Sequence, residues 1–433
     1  MKVVIVGAGP AGLFSAHELA AKCDVTLLER RDFVGGSGLH SDGKLNFHPK
    51  IGGDLTQFLP EDRSWRLVHR IRDIFRDLGV EMTPQDEAGL RKLEAEASKA
   101  GLKFVRIEQT HIGSDRLPTV MSRMKSRLED MGVNFHLNTK AQDLIVEEGD
   151  VKAVETSEGV FRADAMLLAP GRIGSQWLIG LMRRLGVEMR YNPIDLGLRV
   201  EVPNPIMDRI IQGYGIWDPK FHLYTPSYDD FVRTFCVCPS GFVVREQYGD
   251  KLFGVNGHSM REEVSDNINF ALLVRVRLTE PLENTTEYGR RIAQLANTLG
   301  GKKPLLQRLG DLRDNRRSTW KRIERSHVVP TLRDVTPGDI AMAYPKRIIT
   351  DLLEGLEMLD RVMPGINTDS TLVYAPEIKF YAMRIKTDDD LRTSIPDLYV
   401  AGDGAGVSRG IIGAAATGMV AAGGILHRFK KKA

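Results

Sequence analysis

The sequence predicts an α/β protein in which both ends of the chain contribute to one parallel, doubly wound sheet, with a mixed α+β region inserted between them. Three observations predict it. Near the N-terminus an apolar run, Val3-Val4-Ile5-Val6, leads into the glycine-rich Gly7-Ala8-Gly9-Pro10-Ala11-Gly12 and then a helical pattern. Near the C-terminus a second short apolar run, Leu398-Tyr399-Val400, leads into Ala401-Gly402-Asp403-Gly404-Ala405-Gly406 and an Ala/Gly-rich helical stretch. Between them lie a strand-rich segment and then a helix-rich one. No repeat, low-complexity tract or Ser/Pro-rich linker separates them, so the domains are expected to interleave.

Val3–Val6 has the unbroken apolar character of a parallel strand buried on both faces. A helix is expected from about Ala11 to Lys22, and Val25-Thr26-Leu27-Leu28 is the next strand, completing a βαβ unit. Trp65, Val68, Ile71, Phe75 and Leu78 recur at helical spacing, with Gly79 as the stop. Leu117, Met121, Met124, Leu128 and Met131 do the same before Gly132. Both stripes read as core packing. Segments 143–153 and 159–169 are expected to form a hairpin that returns to the sheet. From about 189 to 269 the pattern is strand-rich, and from about 286 to 360 mostly helical. The nucleotide-binding domain is therefore drawn from 1–60, 100–175 and 365–433, with a helical insertion at 61–99 and a cap or substrate domain at 176–364.

The chemistry sits in the turns. In Gly7–Gly12 the first glycine permits the tight turn, the second lets backbone approach a pyrophosphate, and the third lets helix pack on strand. The phosphates would rest on a helix N-terminus, where unpaired N–H groups and the dipole favour anions. Glu29 ends the second strand, 22 residues after Gly7, where a carboxylate can hold an adenosine ribose. A structural glycine turn is the competing reading. At the other end, Asp403 is placed to hydrogen-bond a ribitol hydroxyl, and the helix that follows to aim its N–H groups at a flavin pyrimidine edge. The competing reading there is a helix-capping Asp. Leu167-Leu168-Ala169-Pro170-Gly171-Arg172 is a buried strand leaving through a turn suited to passing close to a cofactor.

In this order the three motifs resemble the glutathione-reductase-like, two-dinucleotide-binding-domain flavoproteins, and Gly35-Gly36 after Glu29 looks like that superfamily's extension of the ribose motif. Longer blocks narrow the resemblance. They are Ser41-Asp42-Gly43-Lys44-Leu45-Asn46, Asp218-Pro219-Lys220-Phe221, Thr234-Phe235-Cys236-Val237-Cys238-Pro239, Tyr374-Ala375-Pro376-Glu377-Ile378-Lys379-Phe380 and Gly402 through Ile411. They resemble an uncharacterised FAD-dependent dehydrogenase family of NAD(P)/FAD-dependent oxidoreductases. The chain departs from that family's pattern at His40 and at Pro239-Ser240-Gly241. The resemblance implies a discontinuous FAD-binding Rossmann domain and a redox reaction. It implies cofactor contacts at Gly7, Gly9, Pro10, Ala11, Gly12, Glu29, Arg30, Gly35, Gly36, Asp42, Gly43, Lys44, Ala141, Pro170, Gly171, Arg172, Gly402, Asp403, Gly404, Arg409, Gly410, Ile411 and Ile412.

Two of these are catalytic candidates. Lys44, in a loop expected beneath the cofactor, faces flavin or a substrate carboxylate, or is simply solvated. Arg409, before the last helix, holds an anionic substrate or steadies reduced flavin, or is an ordinary ion-pair partner. Cys236 and Cys238 lie two apart on a strand and point to one face. They are a thiol pair exchanging electrons with flavin, although the spacing is not CxxC and a disulfide between such near neighbours would be strained, or they are core or pocket-lining thiols. His40 is a candidate covalent flavin attachment point, or a pocket or surface His. Glu377 and Lys379 alternate on a short strand, and His258 and Arg199 are weaker candidates. No metal site is expected.

Composition bounds the rest. The 433 residues carry 60 Lys plus Arg against 57 Asp plus Glu, a formal charge of +3, which argues against a protein that coats DNA. Three cysteines give no disulfide framework and point to a reducing, cytoplasmic compartment. The uncharged stretch from Gly410 to Leu426 is mostly Ala and Gly and is expected to be a buried helix, not a membrane span. The basic tail from His427 to Lys432 reads as a solvated helix end, with a membrane-surface anchor as the competing reading. No second strand–GxGxxG–helix appears between Tyr191 and Arg361, so a nicotinamide-binding Rossmann domain is not expected. The leading expectation is an FAD-dependent oxidoreductase moving a hydride between flavin N5 and a small organic substrate. The electron partner is then that substrate, NAD(P)H bound without its own domain, or a redox protein. An FAD-dependent monooxygenase and an electron-transfer or RNA-modifying flavoprotein are the alternatives.

Overall fold

A computed structural model of the chain describes residues 1–40, 43–113, 116–248, 251–259, 263–279 and 283–432. They fall into two compact units. The first comprises Met1–Thr83, Ile107–Asn192 and Tyr381–Ala433, and the second Pro84–Arg106 and Pro193–Phe380.

The first unit is built on a five-stranded, wholly parallel sheet. Its strands, in spatial order, are Leu398–Val400, Ala165–Leu168, Lys2–Val6, Asp24–Leu28 and Asn134–His136. Val3, Val4, Ile5 and Val6 are all buried, as a central parallel strand requires. The glycine-loop helix, Pro10–Leu19, follows it, with proline in the first turn, where its missing N–H costs nothing. The helical stripes fold as Glu61–Asp77 and Leu117–Asp130, and Gly79 and Gly132 lie just past their ends at positive φ. The last helix, Gly410–Lys432, packs on the glycine-loop helix. A Cβ on Gly418 would lie 2.1 Å from the carbonyl oxygen of Ala11. This close approach accounts for the Ala/Gly composition. The helix is long and apolar enough to cross a membrane by length and composition, yet most of its apolar window is buried within the protein.

Several expectations change. The segment after Ala141 does not return to the parallel sheet as a hairpin. Ala141–Glu147, Asp150–Thr156 and Gly159–Arg162 form a separate antiparallel sheet, and only Ala165–Leu168 enters the main one. The helix Glu61–Asp77 lies in the first unit, while Glu87–Lys99, from the same expected insertion, lies in the second. The helix Ser175–Arg184 belongs to the first unit. The strand Leu372–Lys379, expected with the nucleotide fold, belongs to the second, because its hydrogen bonds go to Ile194–Pro203 and Leu305–Arg308.

The second unit carries an eight-stranded sheet. Its order is Thr336–Pro337, Leu305–Arg308, Leu372–Lys379, Ile194–Pro203, Asn267–Val276, Phe231–Cys238, Lys220–Tyr224 and Lys103–Val105. Every pairing is antiparallel except that of the first two strands. One face is apolar: Leu196, Leu198, Val200, Phe270, Leu272 and Val274 pack beneath the helices Thr285–Leu299 and Lys346–Asp360. The alternating residues Asp195, Arg199, Glu201, Asn267 and Asn269 put polar groups on the other face, and these too are buried. The region expected to be mostly helical also contains two short helices and the strand Leu305–Arg308.

A candidate cofactor site in the first unit

The turn after the first strand is set by three glycines with three different roles. Gly7 has φ +106°, and its N–H donates to the carbonyl of Leu28 at 2.8 Å. A Cβ there would sit 2.3 Å from the carbonyl oxygen of Ala169. Gly12 touches the same turn from the helix side: its Cβ would lie 1.9 Å from the carbonyl oxygen of Gly7. Gly9 is the opposite case, since a Cβ there would meet nothing within 4 Å. Gly9 is thus the position where backbone is open to a ligand, at the N-terminus of a helix.

Glu29 ends the second strand and is buried. One carboxylate oxygen accepts the Ala8 N–H at 2.9 Å and the other the Arg31 N–H at 3.0 Å. A carboxylate offers about four acceptor positions, so the two N–H groups leave others for hydroxyl donors. At the far side of the sheet, Asp403 follows Leu398–Val400. Its carboxylate accepts from the Ser408 hydroxyl at 3.0 Å and the Gly410 N–H at 3.3 Å. Arg172 Nε stands 3.9 Å away. Burial pushes the Asp403 carboxyl up from the ordinary carboxylate value, against the opposing pull of Arg172, the Ser408 hydroxyl and Arg409.

One cavity joins these parts. About 800 Å³ of space, part of it open to solvent, lies between its walls. Of the sequence-predicted residues, Gly7, Gly9, Pro10, Ala11, Glu29, Arg30, Gly36, Pro170, Gly171, Arg172, Gly402, Asp403, Gly410 and Ile411 line it. The helices beginning at Pro10 and Gly410 both start on its wall, so two positive dipole ends meet there.

Other predicted residues lie outside the lining. Gly12, Gly35 and Gly404 act in packing; a Cβ on Gly404 would come within 2.5 Å of the Gly171 carbonyl oxygen. Gly43 is buried against the backbone of Gly113. Ile412 is buried one residue past the lining, and Ala141 begins the strand Ala141–Glu147. Lys44 opens the strand Lys44–Phe47, opposite His111. Arg409 directly precedes Gly410; its guanidinium carbon lies 3.8 Å from the centre of the Tyr381 ring, and its N–H donates to Gly52. Asp42 and the His40 side chain lie outside the described residues.

Sequence reasoning missed Arg31, Ser37, Gly38, Ala169, Ile173 and Ala414, which also line the cavity. Ala414 stands one helical turn beyond Gly410, a spacing that would have found it. Tyr381 and Gly52, the neighbours of Arg409, carried no local signal.

The residues present fit a dinucleotide: an uncrowded glycine at a helix N-terminus, a ribose-competent carboxylate, and a second carboxylate beside a second helix start. Comparison with known proteins agrees. Residues 2–117 match the family model described as FAD dependent oxidoreductase, and 92–204 that of pyridine nucleotide-disulphide oxidoreductase. Residues 193–379 match the model of FAD-dependent protein, C-terminal domain-like. An uncharacterised protein of Clostridium beijerinckii is 26% identical over 98% of this chain and 81% of its own length. A glycine oxidase of Pseudomonas aeruginosa is 27% identical over 45% of this chain and 60% of that protein. The crystal structure of L-proline dehydrogenase from P. horikoshii superposes with a TM-score of 0.45 at 12% identity, covering 99% of this chain and 93% of that one. The chain is an enzyme, an FAD-dependent oxidoreductase with sequence similarity to glycine oxidase.

Proposed function

We propose that the chain is a dehydrogenase or reductase that moves a hydride between FAD and a small organic substrate, without a nicotinamide-binding domain of its own. The observation that carries this reading is the meeting of two helix N-termini, the open Gly9 and two carboxylates, the buried Glu29 and the partly buried Asp403, on one cavity. Bound FAD supplies two-electron chemistry at N5 of its ring. The loop from Gly7 to Gly12 and the helix start behind it would hold the pyrophosphate. Glu29 would take ribose hydroxyls with its remaining acceptor positions. Asp403, held by Ser408 and Gly410, would take ribityl hydroxyls, and the start of the last helix would favour negative charge beside it. Arg409 and Lys44 are the candidates for orienting an anionic group of the substrate. The second unit's sheet is antiparallel in every pairing but one, which supports reading that unit as a cap or substrate domain.

The name glycine oxidase makes small amino acids the first donors to test. The experiment is an anaerobic titration of the purified holoprotein with NADH, NADPH and then an amino-acid panel, following the visible flavin band. Bleaching by an organic donor is the expected result. Bleaching by dithionite alone would redirect the search to a protein electron partner. Protein that purifies colourless and takes up no added FAD would end the proposal.

A further inference from the structure

The polar face of the second unit's sheet holds a charged cluster that the cofactor site does not use. At its centre is Arg199, fully buried. Its Nε donates to Asn269 Oδ1 at 2.7 Å, and its Nη1 lies 3.4 Å from Glu377. Its Nη2 donates to the carbonyl of Cys236 at 2.7 Å and lies 3.2 Å from Cys238 Sγ. Glu377, also fully buried, is shared: Lys379 Nζ stands 3.0 Å from the same carboxylate oxygen. Lys379 reaches Glu246 at 3.4 Å, but Glu246 is one-third exposed.

Charge counting gives the inference its direction. Within this cluster two buried cations, Arg199 and Lys379, share the fully buried Glu377, and Lys379 has the partly exposed Glu246 as well. Arg199 has no carboxylate to itself, and a thiolate on Cys238, 3.2 Å from its Nη2, would be favoured there. The other charges beside this strand, Asp218, which accepts the Val237 N–H, and Lys220, pair with each other at 2.6 Å. The backbone brings a second sulfur to Cys238. Regular alternation would place Cys236 and Cys238 apart on one face, but the register shifts between Phe235 and Cys238, and Cys236 has φ +46°. The two sulfurs come to 4.0 Å. Cys238 is buried and Cys236 is partly exposed.

We propose that Cys236 and Cys238 form a redox-active dithiol, with Cys236 the point of attack and Cys238, held as thiolate by Arg199, the resolving sulfur. The oxidant is a small disulfide of the glutathione class. The Cys236 thiolate attacks one sulfur of that disulfide, forming a mixed disulfide and releasing one small thiolate. The Cys238 thiolate then attacks the Cys236 sulfur, forming the Cys236–Cys238 bond and releasing the second. The protein gives up two electrons and the single proton of Cys236, and one small disulfide becomes one thiol and one thiolate, which takes its proton from solvent. The inference stands apart from the cofactor assignment, because no residue of the flavin cavity takes part.

The test uses the holoprotein, equilibrated across glutathione redox buffers, quenched with an alkylating reagent and analysed as peptides by mass spectrometry. The expected result is a peptide carrying Cys236 and Cys238 that loses two hydrogen masses and escapes alkylation in oxidising buffer, while the Cys23 peptide does not change in this way. Cys236→Ser should abolish the loss, and Cys238→Ser should leave Cys236 trapped as the mixed disulfide with glutathione. Alkylation of Cys238 in wild type should also persist well below the roughly pH 8.5 midpoint of a free thiol. Full alkylation of Cys236 and Cys238 at every redox poise, or a two-hydrogen loss that survives Cys236→Ser, would overturn the proposal.

Discussion

Replacing Gly12 and Gly9 by alanine, one at a time, should separate packing from cofactor binding in the same loop. A Cβ on Gly12 would lie 1.9 Å from the Gly7 carbonyl oxygen, so ordinary contact needs a retreat of about 1.5 Å. The obstacle is backbone, fixed by the Gly7 N–H bond to Leu28, and cannot swing aside like a side chain. Overpacking typically costs about 1–3 kcal/mol, and a backbone obstacle places Gly12→Ala near the top of that range. The loss should show in the apoprotein, with no FAD present. Gly9→Ala is the contrast. Its φ of −79° suits alanine and its Cβ meets nothing within 4 Å, so apoprotein stability should stay within about 0.5 kcal/mol of wild type. The methyl would nevertheless stand where a pyrophosphate must approach. Losing one charge-assisted hydrogen bond, about 1.5–3 kcal/mol, weakens FAD by about 10- to 100-fold. Urea unfolding of the apoproteins and calorimetric titration with FAD measure the two quantities. Equal apoprotein destabilisation by both variants, or wild-type FAD affinity in Gly9→Ala, would refute the assignment of roles.

Three further outcomes are expected. FAD at about 100 times its Kd should stabilise the protein by about 2.7 kcal/mol, read as a rise in Tm that disappears when the cofactor is stripped. Glu377→Gln should cost about 3–5 kcal/mol in urea unfolding, because it removes the one buried carboxylate that Arg199 and Lys379 share; Glu188→Gln, at the exposed pair with Lys386, should cost at most about 1 kcal/mol. Burial, with Asp230 nearby, pushes the Asp351 carboxyl up to about 6 despite the Thr225 hydroxyl and Arg347. The fold therefore holds that proton more tightly than the unfolded chain does. Its contribution is full below pH 3.8 and is lost as the pH rises through about 6. Asp351→Asn should flatten Tm across that window and raise it at neutral pH.

The cofactor loop was legible because its constraints are local. Gly7, Gly9 and Gly12 are spaced by the turn itself, and Glu29 by one βαβ crossover, so a short window of sequence contains the whole device. Asp403 and Gly410 were legible for the same reason. The Arg199 cluster was not. Its members come from four strands, and Arg199 and Glu377 are 178 residues apart in the chain. Read alone, Glu377 and Lys379 have the alternation of an exposed strand, yet both are buried, because the opposite face of their sheet is covered as well. The hairpin after Ala141 failed on a related ground: alternation marks a strand but does not say which sheet receives it.

The packing of the last helix on the glycine-loop helix sets an order of events during synthesis. The first cavity wall, from Gly7 to Glu29, leaves the ribosome before the other. The opposite wall, Gly402, Asp403, Gly410 and Ile411, is made after the whole of the second unit, whose segment from 193 to 380 is inserted between them. Until then the strand Ala165–Leu168 has an open edge, because its partner Leu398–Val400 has not yet been made. That edge is a row of unpaired backbone groups, open to mispairing for as long as synthesis continues. The second unit, whose strands all lie between Lys103 and Lys379, can complete its sheet meanwhile. The cavity has both of its walls only once the last helix has packed onto the first.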